Sequence, residues 1–470
     1  MDSTADAARG SAAPDDRRVL VARLDRLTKT TRTHRTWMVL LGSLFIADLA
    51  DINVLSYAAP AIREQWGLSV AEIGRLTSLS FLGMFFGAIL GGRLADRFGR
   101  RRVVIAATVF YSVASILCAL APNPALLGVF RLFSGLGVQA VTGVLIVYVA
   151  EMFPQHKRGR IQALMLGIGL LGVPFIAGAA RLLVPIGPES WRWTFVVAAV
   201  GLIPAIAAWF SLPESARWLL VQDREAEAEV IISRLEREAG LTPEQGVVVE
   251  DEPVSGRTHV PLSELLRGRT RKIAVVASLV MVFDILGFYG FNAWVPTLLV
   301  EQGYSHETTL TITTIFAIAP FAGAFAGMLV ADRWERKTVS LVLAAVSGAA
   351  MVVFAVSGEL WLVVLGGFVA TLLLQTNTAV IYSYLPEVFP TALRGAGAGL
   401  ANGMGRLAGT VNGVLIAAVF AFAGFSGAFI AAALFILCEG LVIFFFGERT
   451  TGRRLSDTVA PHDSPEEQRA

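Results

Sequence analysis

Gly92-Arg-Leu-Ala-Asp96-Arg97-Phe-Gly99-Arg100-Arg101 closes one apolar stretch, and its core returns in Val330-Ala-Asp332-Arg333-Trp-Glu335-Arg336-Lys337. Asp96 falls on Asp332 and Arg97 on Arg333, a shift in numbering of 236. The same shift carries Glu151-Met-Phe-Pro154-Gln-His-Lys-Arg158-Gly159 onto Glu387-Val-Phe-Pro390-Thr-Ala-Leu-Arg394-Gly395. It also carries Asp48 onto Asp284, Pro60 onto Pro296 and Tyr148 onto Tyr384. Landmarks held in one register from Asp48 to Gly159 are the mark of a duplicated half-protein. Because both halves are mostly apolar, the repeat predicts two membrane-embedded helical bundles with a substrate site where they meet.

Composition agrees. The chain is 55% hydrophobic and 16% charged, with a mean hydropathy of +0.63, well above a soluble globular domain. A net charge of +2 gives no reason to expect a nucleic-acid partner. Cys118 and Cys438 lie in apolar stretches and imply neither a disulfide framework nor a metal site. No metal-ligand cluster, phosphate loop or nucleophile–base constellation is present, so neither a cofactor nor an enzyme is expected. The first apolar run starts near Trp37, behind a polar segment too long for the n-region of a signal peptide.

A membrane helix needs about 20 predominantly apolar residues. Spans are predicted at roughly 38–60, 76–95, 102–120, 125–151, 160–182 and 192–211, then 272–298, 308–331, 337–356, 361–385, 395–418 and 424–446. Loops after spans 2, 4 and 8 are basic, with Arg97, Arg100, Arg101 and Arg102, with Lys157 and Arg158, and with Arg333, Arg336 and Lys337. Connections after spans 3, 7, 9 and 11 hold no Lys or Arg, while those after spans 1 and 5 hold Arg63, Arg75 and Arg192. Both ends are basic beside the membrane, at Arg32 and Arg35 and at Arg449, Arg453 and Arg454. The positive-inside rule then puts both termini in the cytoplasm, with the protein multi-pass in the cell (inner) membrane. The expected organisation is a cytoplasmic tail (1–36), a six-helix bundle (37–212), a cytoplasmic inter-bundle segment (213–271), a second six-helix bundle (272–447) and a cytoplasmic tail (448–470). Asp223 to Glu238, with alternating charges around Val230, Ile231 and Leu235, reads as a short helix lying on the bundle.

The Gly92–Arg101 loop and its copy resemble the signature loop of the major facilitator superfamily, over about 37–446 of the chain. Glu151-x-x-Pro154-x-x-x-Arg158-Gly159 and Pro213-Glu-Ser-Ala-Arg-Trp-Leu219 are similar to its sugar-porter-related branch. Asp48-Leu-Ala-Asp51-Ile-Asn-Val-Leu-Ser-Tyr-Ala-Ala-Pro60 resembles the Asp-Gly-x-Asp helix of aromatic acid:proton symporters. Gly287-Phe-Tyr-Gly-Phe-Asn-Ala-Trp-Val-Pro296 resembles the niacin- and organic-acid-transporting relatives. Leu49 stands where the aromatic-acid motif has Gly, Glu335 where the second signature loop has Gly, and the Gln-rich stretch of sugar porters is absent from span 7. The resemblance implies an all-α membrane protein of twelve transmembrane helices in two six-helix bundles, a monomer working by alternating access in the lipid bilayer. By the same resemblance Asp96, Arg97, Arg101, Glu151 and Arg158 in one half, and Asp332, Arg333, Glu387 and Arg394 in the other, form the cytoplasmic gate.

Charges inside the membrane are costly and therefore usually functional. Asp48 and Asp51, three residues apart, lie about 4.5 Å apart along the first span. Arg131 in span 4 matches the depth of Asp51, so the two can pair, or Arg131 can hold a substrate carboxylate with two hydrogen bonds. A purely structural Asp–Arg pair that orients two helices is the competing reading. Asp48 or Asp51 is the leading proton carrier, because His34, His156, His259, His306 and His462 all fall in tails or loops. Asp284 is the repeat partner of Asp48, with Arg406 at comparable depth; Glu439 belongs to an outer helix and is expected to meet an arginine or water. Asn53 and Tyr57, Gln139, Phe288, Tyr289, Asn292 and Trp294, and Gln375, Asn377, Tyr382 and Tyr384 supply the aromatic and amide groups of a pocket for a planar substrate. The chemistry points to proton-coupled uptake of a small aromatic or nicotinate-like carboxylate. A sugar or polyol:proton symporter, a drug:proton efflux antiporter and a non-transporting sensor are the alternatives. The segment Leu166–Gly178 only approximates the Gly-Pro pair of the antiporters.

Overall fold

The computed structural model describes residues 14–242, 264–265, 267–331, 333–390 and 393–450, which leaves Asp332 outside the described residues. Among these the chain is helical, with no strand. The first half comprises α1 (Pro14–Asp25), α2 (Arg32–Trp66), α3 (Val70–Phe98), α4 (Arg100–Ala119), α5 (Pro124–Met152), α6 (Arg158–Gly169), α7 (Gly172–Leu183), α8 (Trp191–Ala198) and α9 (Leu202–Ser211). Two short helices follow, α10 (Ala216–Val221) and α11 (Glu225–Ala239). The second half comprises α12 (Gly268–Asn292), α13 (Val295–Glu301), α14 (His306–Phe316), α15 (Ala319–Ala331), α16 (Arg336–Val356), α17 (Leu360–Val388) and α18 (Arg394–Phe446). Within α18, Gly424 has φ 66 and ψ −163, so two helices meet there across a kink. Counting α6–α7, α8–α9, α12–α13 and α14–α15 as single broken spans, twelve cross the bundle.

The duplication extends to helix boundaries. Shifted in the same register, the starts of α2 to α6 (Arg32, Val70, Arg100, Pro124, Arg158) become Gly268, His306, Arg336, Leu360 and Arg394, which are the starts of α12, α14, α16, α17 and α18. The helices overrun the predicted spans because hydropathy marks only the apolar middle, whereas caps mark the ends. Thr31 caps α2 with His34, and Gly67 (φ 62) ends it; Ser69 and Glu72 form a capping box that starts α3 at Val70. Four spans break where a proline enters. Pro174, Pro204, Pro296 and Pro320 each sit second or third in the piece that follows the break, where the missing N–H has no intrahelical acceptor to lose.

Twelve crossings put both described chain ends at one end of the molecule, here called the near end. The two halves meet at the far end. There α3 and α18 touch backbone to backbone: a Cβ on Gly74 would lie 2.4 Å from the Gly413 carbonyl oxygen, so neither position has room for a side chain. Arg63 pairs with Glu301, Glu64 lies 2.8 Å from His306, and Arg181 donates to Thr311 at 3.1 Å, all across the same junction.

At the near end α1, in the stretch read from sequence as tail, packs Leu20 and Leu24, with Leu27 just after it, in one cluster with Ala228, Ile232 and Leu235 of α11. Arg23 and Arg26 both pair with the buried Glu236, Arg23 at 2.7 Å. Glu238 accepts from the Thr33 backbone N–H at 2.8 Å and from its hydroxyl, tying α11 to the first turn of α2. Partial burial raises the Glu238 pKa, but the hydrogen bonds from Thr33 outweigh it and bring the carboxyl down to about 2.

Candidate functional site: a charged cavity between the two halves

Asp48 and Asp51 are fully buried on α2. Arg131 of α5 donates to the Asp51 carboxylate at 3.2 Å, to the Asp51 carbonyl at 3.2 Å and to the Ser80 hydroxyl at 3.2 Å, and Ser134 donates to the same carboxylate. All three guanidinium nitrogens are thereby engaged, and the ring of Phe195 lies 5.9 Å from its centre. Asp48 takes a hydrogen bond from Thr142, and Asp284 one from Thr378 at 3.0 Å. Asp284 and Thr378 are the repeat partners of Asp48 and Thr142, so each half holds one Asp–Thr couple. The second oxygens of Asp48 and Asp51 are buried without a partner.

A different arginine is left with capacity. Arg406 of α18 lies beside the Tyr289 hydroxyl and Tyr382 and faces both Asp48 and Asp284, while its Nη1 is buried with no hydrogen-bond partner. Tyr289, which Arg406 contacts, also lines a small cavity together with Asp51, Asn53, Ser80, Phe81 and Arg131, among others. Phe81 and Tyr289 meet edge to face at 4.7 Å, with Phe288 5.1 Å from Tyr289, so one wall is aromatic and built from both halves.

Apart from Asn53 at the cavity and Tyr382 beside Arg406, the other sequence-named pocket residues are dispersed. The Asn53 amide nitrogen bonds the Leu49 carbonyl at 2.8 Å. Asn292 bonds Phe288 and Thr371, so its amide is used inside the second half. Gln139 keeps a buried oxygen without a partner. Tyr57 belongs to the apolar cluster around α2 and α7. Trp294 is buried in the far-end core of the second half, and Tyr384 in its near-end core. Gln375 is buried with its Cβ against α15 at Gly323. Asn377 bonds Ser340 and Glu439 away from the cavity. Tyr382 is 38% exposed. Glu439, expected to meet an arginine or water, instead takes these two neutral partners.

Among the described residues, several near-end charges pair inside their own halves. Arg100 bonds Glu151 at 2.9 Å and Asp96 at 3.1 Å, and Ser215 bonds the other oxygen of Glu151 at 2.5 Å. Arg336 and Glu387, the repeat partners of Arg100 and Glu151, pair at 2.6 Å. Glu214 accepts the Arg101 backbone N–H at 3.0 Å, and its carboxylate fills the space over Gly99 (φ 98), where a Cβ would fall 2.2 Å from its oxygen. The Arg101 side chain reaches the Trp209 carbonyl. Arg158 meets Asp25 at 3.6 Å. Arg97 lies over the Phe98 ring, Arg333 is exposed and Arg394 is half-buried.

Sequence reasoning named Arg406 only as a neutraliser of Asp284, and it missed Thr142 and Thr378. The signal for the threonines was available, since they share the repeat register of the aspartates they serve.

Residues 39–459 match the family described as "Sugar (and other) transporter". A metabolite transport protein of Bacillus subtilis, YyaJ, is 34% identical, with 92% of this chain and 96% of that protein covered. The niacin transporter NiaP of Acinetobacter baylyi is 30% identical over 93% of this chain and 98% of its own. A gallate transporter of Pseudomonas putida is 31% identical over 81% and 84%. Among solved structures, the partially occluded inward open xylose transporter XylE of E. coli superposes with a TM-score of 0.72 at 16% identity, over 88% of this chain and 98% of that one, a likeness of fold. Twelve spans in two repeated halves, a charged cavity between them and a family match over nearly the whole length agree: the chain belongs to the sugar (and other) transporter family of the major facilitator superfamily, as a multi-pass membrane transporter and not an enzyme.

Proposed function

We propose that the protein moves a small aromatic or nicotinate-like carboxylate together with protons, by alternating access, across the cell (inner) membrane, with both termini cytoplasmic. The observation that carries this reading is the buried, unpartnered Nη1 of Arg406, facing Asp48 and Asp284. Arg131 has a bond on each of its three nitrogens, to Asp51 and Ser80, which commits three of its five N–H groups, whereas a whole terminal nitrogen of Arg406 is open. A substrate carboxylate bound by Arg406 takes the cation that the two aspartates otherwise share. An added anion beside two buried carboxylates is accommodated when one of them takes up a proton. Binding of acid and of proton therefore favour each other, which is the requirement for symport. The Phe81–Tyr289–Phe288 wall gives a planar ring a surface to lie against.

The halves join at the far end while the near-end charges pair within their own halves, so the cavity described here is read as facing the cytoplasm. Relatives named as niacin, gallate and gentisate transporters support an organic acid. The polyol reading draws on the family's name, but a neutral polyol would accept a hydrogen bond from this guanidinium without adding the charge that links binding to a proton.

The test is uptake into proteoliposomes of radiolabelled nicotinate, benzoate, gentisate, gallate and xylose. Saturable uptake of at least one acid, competed by the other acids and not by xylose, is expected. Uptake of xylose with none of the acids moving would overturn the reading.

A further inference from the structure

Glu439 is fully buried in the second half, on the last stretch of α18. It meets Ser340 of α16 at 2.9 Å and Asn377 of α17 at 2.6 Å, and Ser340 meets Asn377 at 2.9 Å. The three side chains close a ring. Its partners are a hydroxyl and an amide, with no arginine or lysine among them, and Asp284 of α12 is the charged group whose field reaches it.

From this geometry we infer that Glu439 is a second kind of proton-binding site: a carboxylic acid that holds its proton permanently and does not exchange it during transport. The protons of the ring can be counted. Each of the three contacts needs one hydrogen between two heavy atoms. Ser340 supplies one and the Asn377 amide supplies one. The third contact is filled only when the carboxyl itself carries a proton. Reversing the Asn377 amide changes the direction of the ring and not the count, because the amide still places one nitrogen and one oxygen on the two contacts. An ionised Glu439 would leave two oxygens facing each other at hydrogen-bond distance with no hydrogen between them, or a buried charge with too few donors.

The repeat supports a local role. The first-half partners of Ser340, Asn377 and Glu439 in the repeat register are Val104, Val141 and Ile203, so the first half carries apolar groups at the same places. All three ring members are fully buried, which leaves the acid without contact to the cavity. Proton exchange is left to Asp48 and Asp284.

The experiment is infrared spectroscopy of the purified full-length protein labelled with ¹³C-glutamate, as wild type and Glu439→Gln, from mildly acidic to mildly alkaline pH. The expected spectrum has a protonated glutamate carbonyl band that persists across the range and is lost in Glu439→Gln. That variant, whose amide donates where the acid did, is expected to keep the wild-type Tm, whereas Ser340→Ala shifts the band to the position of a less strongly hydrogen-bonded acid. A glutamate band that is missing or titrates within the range would overturn the inference. So would a Glu439→Gln protein that fails to fold while Ser340→Ala is normal. If neither variant can be prepared, persistence or loss of the band in the labelled wild type decides alone.

Discussion

Arg131 lines the cavity and Arg406 touches its Tyr289 wall, and the two differ in what is left of them to bind with. Arg131 is enclosed by Asp51, Ser80 and Ser134, so removing its counter-charge strands a buried cation. Asp51→Ala is expected to lower stability by about 3–5 kcal/mol, the range for breaking a buried pair, read as a fall in Tm in detergent. Arg406 retains a nitrogen without a bond. Arg406→Gln is therefore expected to stay folded and to raise the KM for the acid roughly tenfold to a hundredfold, since a charge-assisted hydrogen bond contributes about 1.5–3 kcal/mol; an unchanged KM in a transport assay would contradict the assignment. The charges themselves were legible, because Asp48, Asp51, Arg131, Asp284 and Arg406 stand out in apolar runs. Their occupancy was not. How much of an arginine is committed depends on side chains such as Ser80, which arrives from another helix and carries no charge to mark it.

Among the elements, the far-end seam and the near-end strap carry the clearest consequences. The α3–α18 contact depends on Gly74 and Gly413 having no side chain. Gly413→Leu is expected to disfavour the conformation closed at this end by about 1–3 kcal/mol, lowering the transport rate roughly tenfold or more, with spin-label distances across Gly74 and Gly413 lengthening. At the near end, Glu236 meets Arg23 and Arg26, and although burial raises its pKa the arginine hydrogen bonds lower it below the usual carboxylate range. Glu238 is lowered to about 2. Folded-state values below the unfolded ones mean that the strap's stabilisation is complete above the ordinary glutamate range and disappears as pH falls through the folded values. Hydrogen exchange at α1 and α11 is expected to be slow at neutral pH and to lose protection, relative to the intrinsic rate, between about pH 4.5 and 2; protection independent of pH over that interval would contradict it. Spans were readable from hydropathy, and the α11 helix from its charge pattern. The docking of α1 was not, because its partner Glu236 lies far along the chain, beyond the whole first bundle.

The whole molecule is one architecture used twice with different polar content. Helix boundaries, the Asp48–Thr142 and Asp284–Thr378 couples, and the Arg100–Glu151 and Arg336–Glu387 pairs repeat in register. Asp51 and Arg131 do not repeat; Gly287 and Gly367 take their places, and Phe316 fills the space beside Gly367, where Ser80 stands in the first half. The duplication could be seen in the sequence at once because motifs of charge and glycine survive divergence. The asymmetry that divides labour between the halves is visible only when the repeat is laid over the contacts. Coupling between acid and proton is the central claim, and the most direct test is uptake of the transported carboxylate into proteoliposomes with and without an inward proton gradient, for wild type and the Asp48→Asn, Asp284→Asn double variant. The account predicts that the gradient accelerates wild-type uptake and no longer accelerates it in the variant, which still exchanges labelled for unlabelled acid. Wild-type uptake indifferent to the gradient, or a double variant driven as well as wild type, would contradict it.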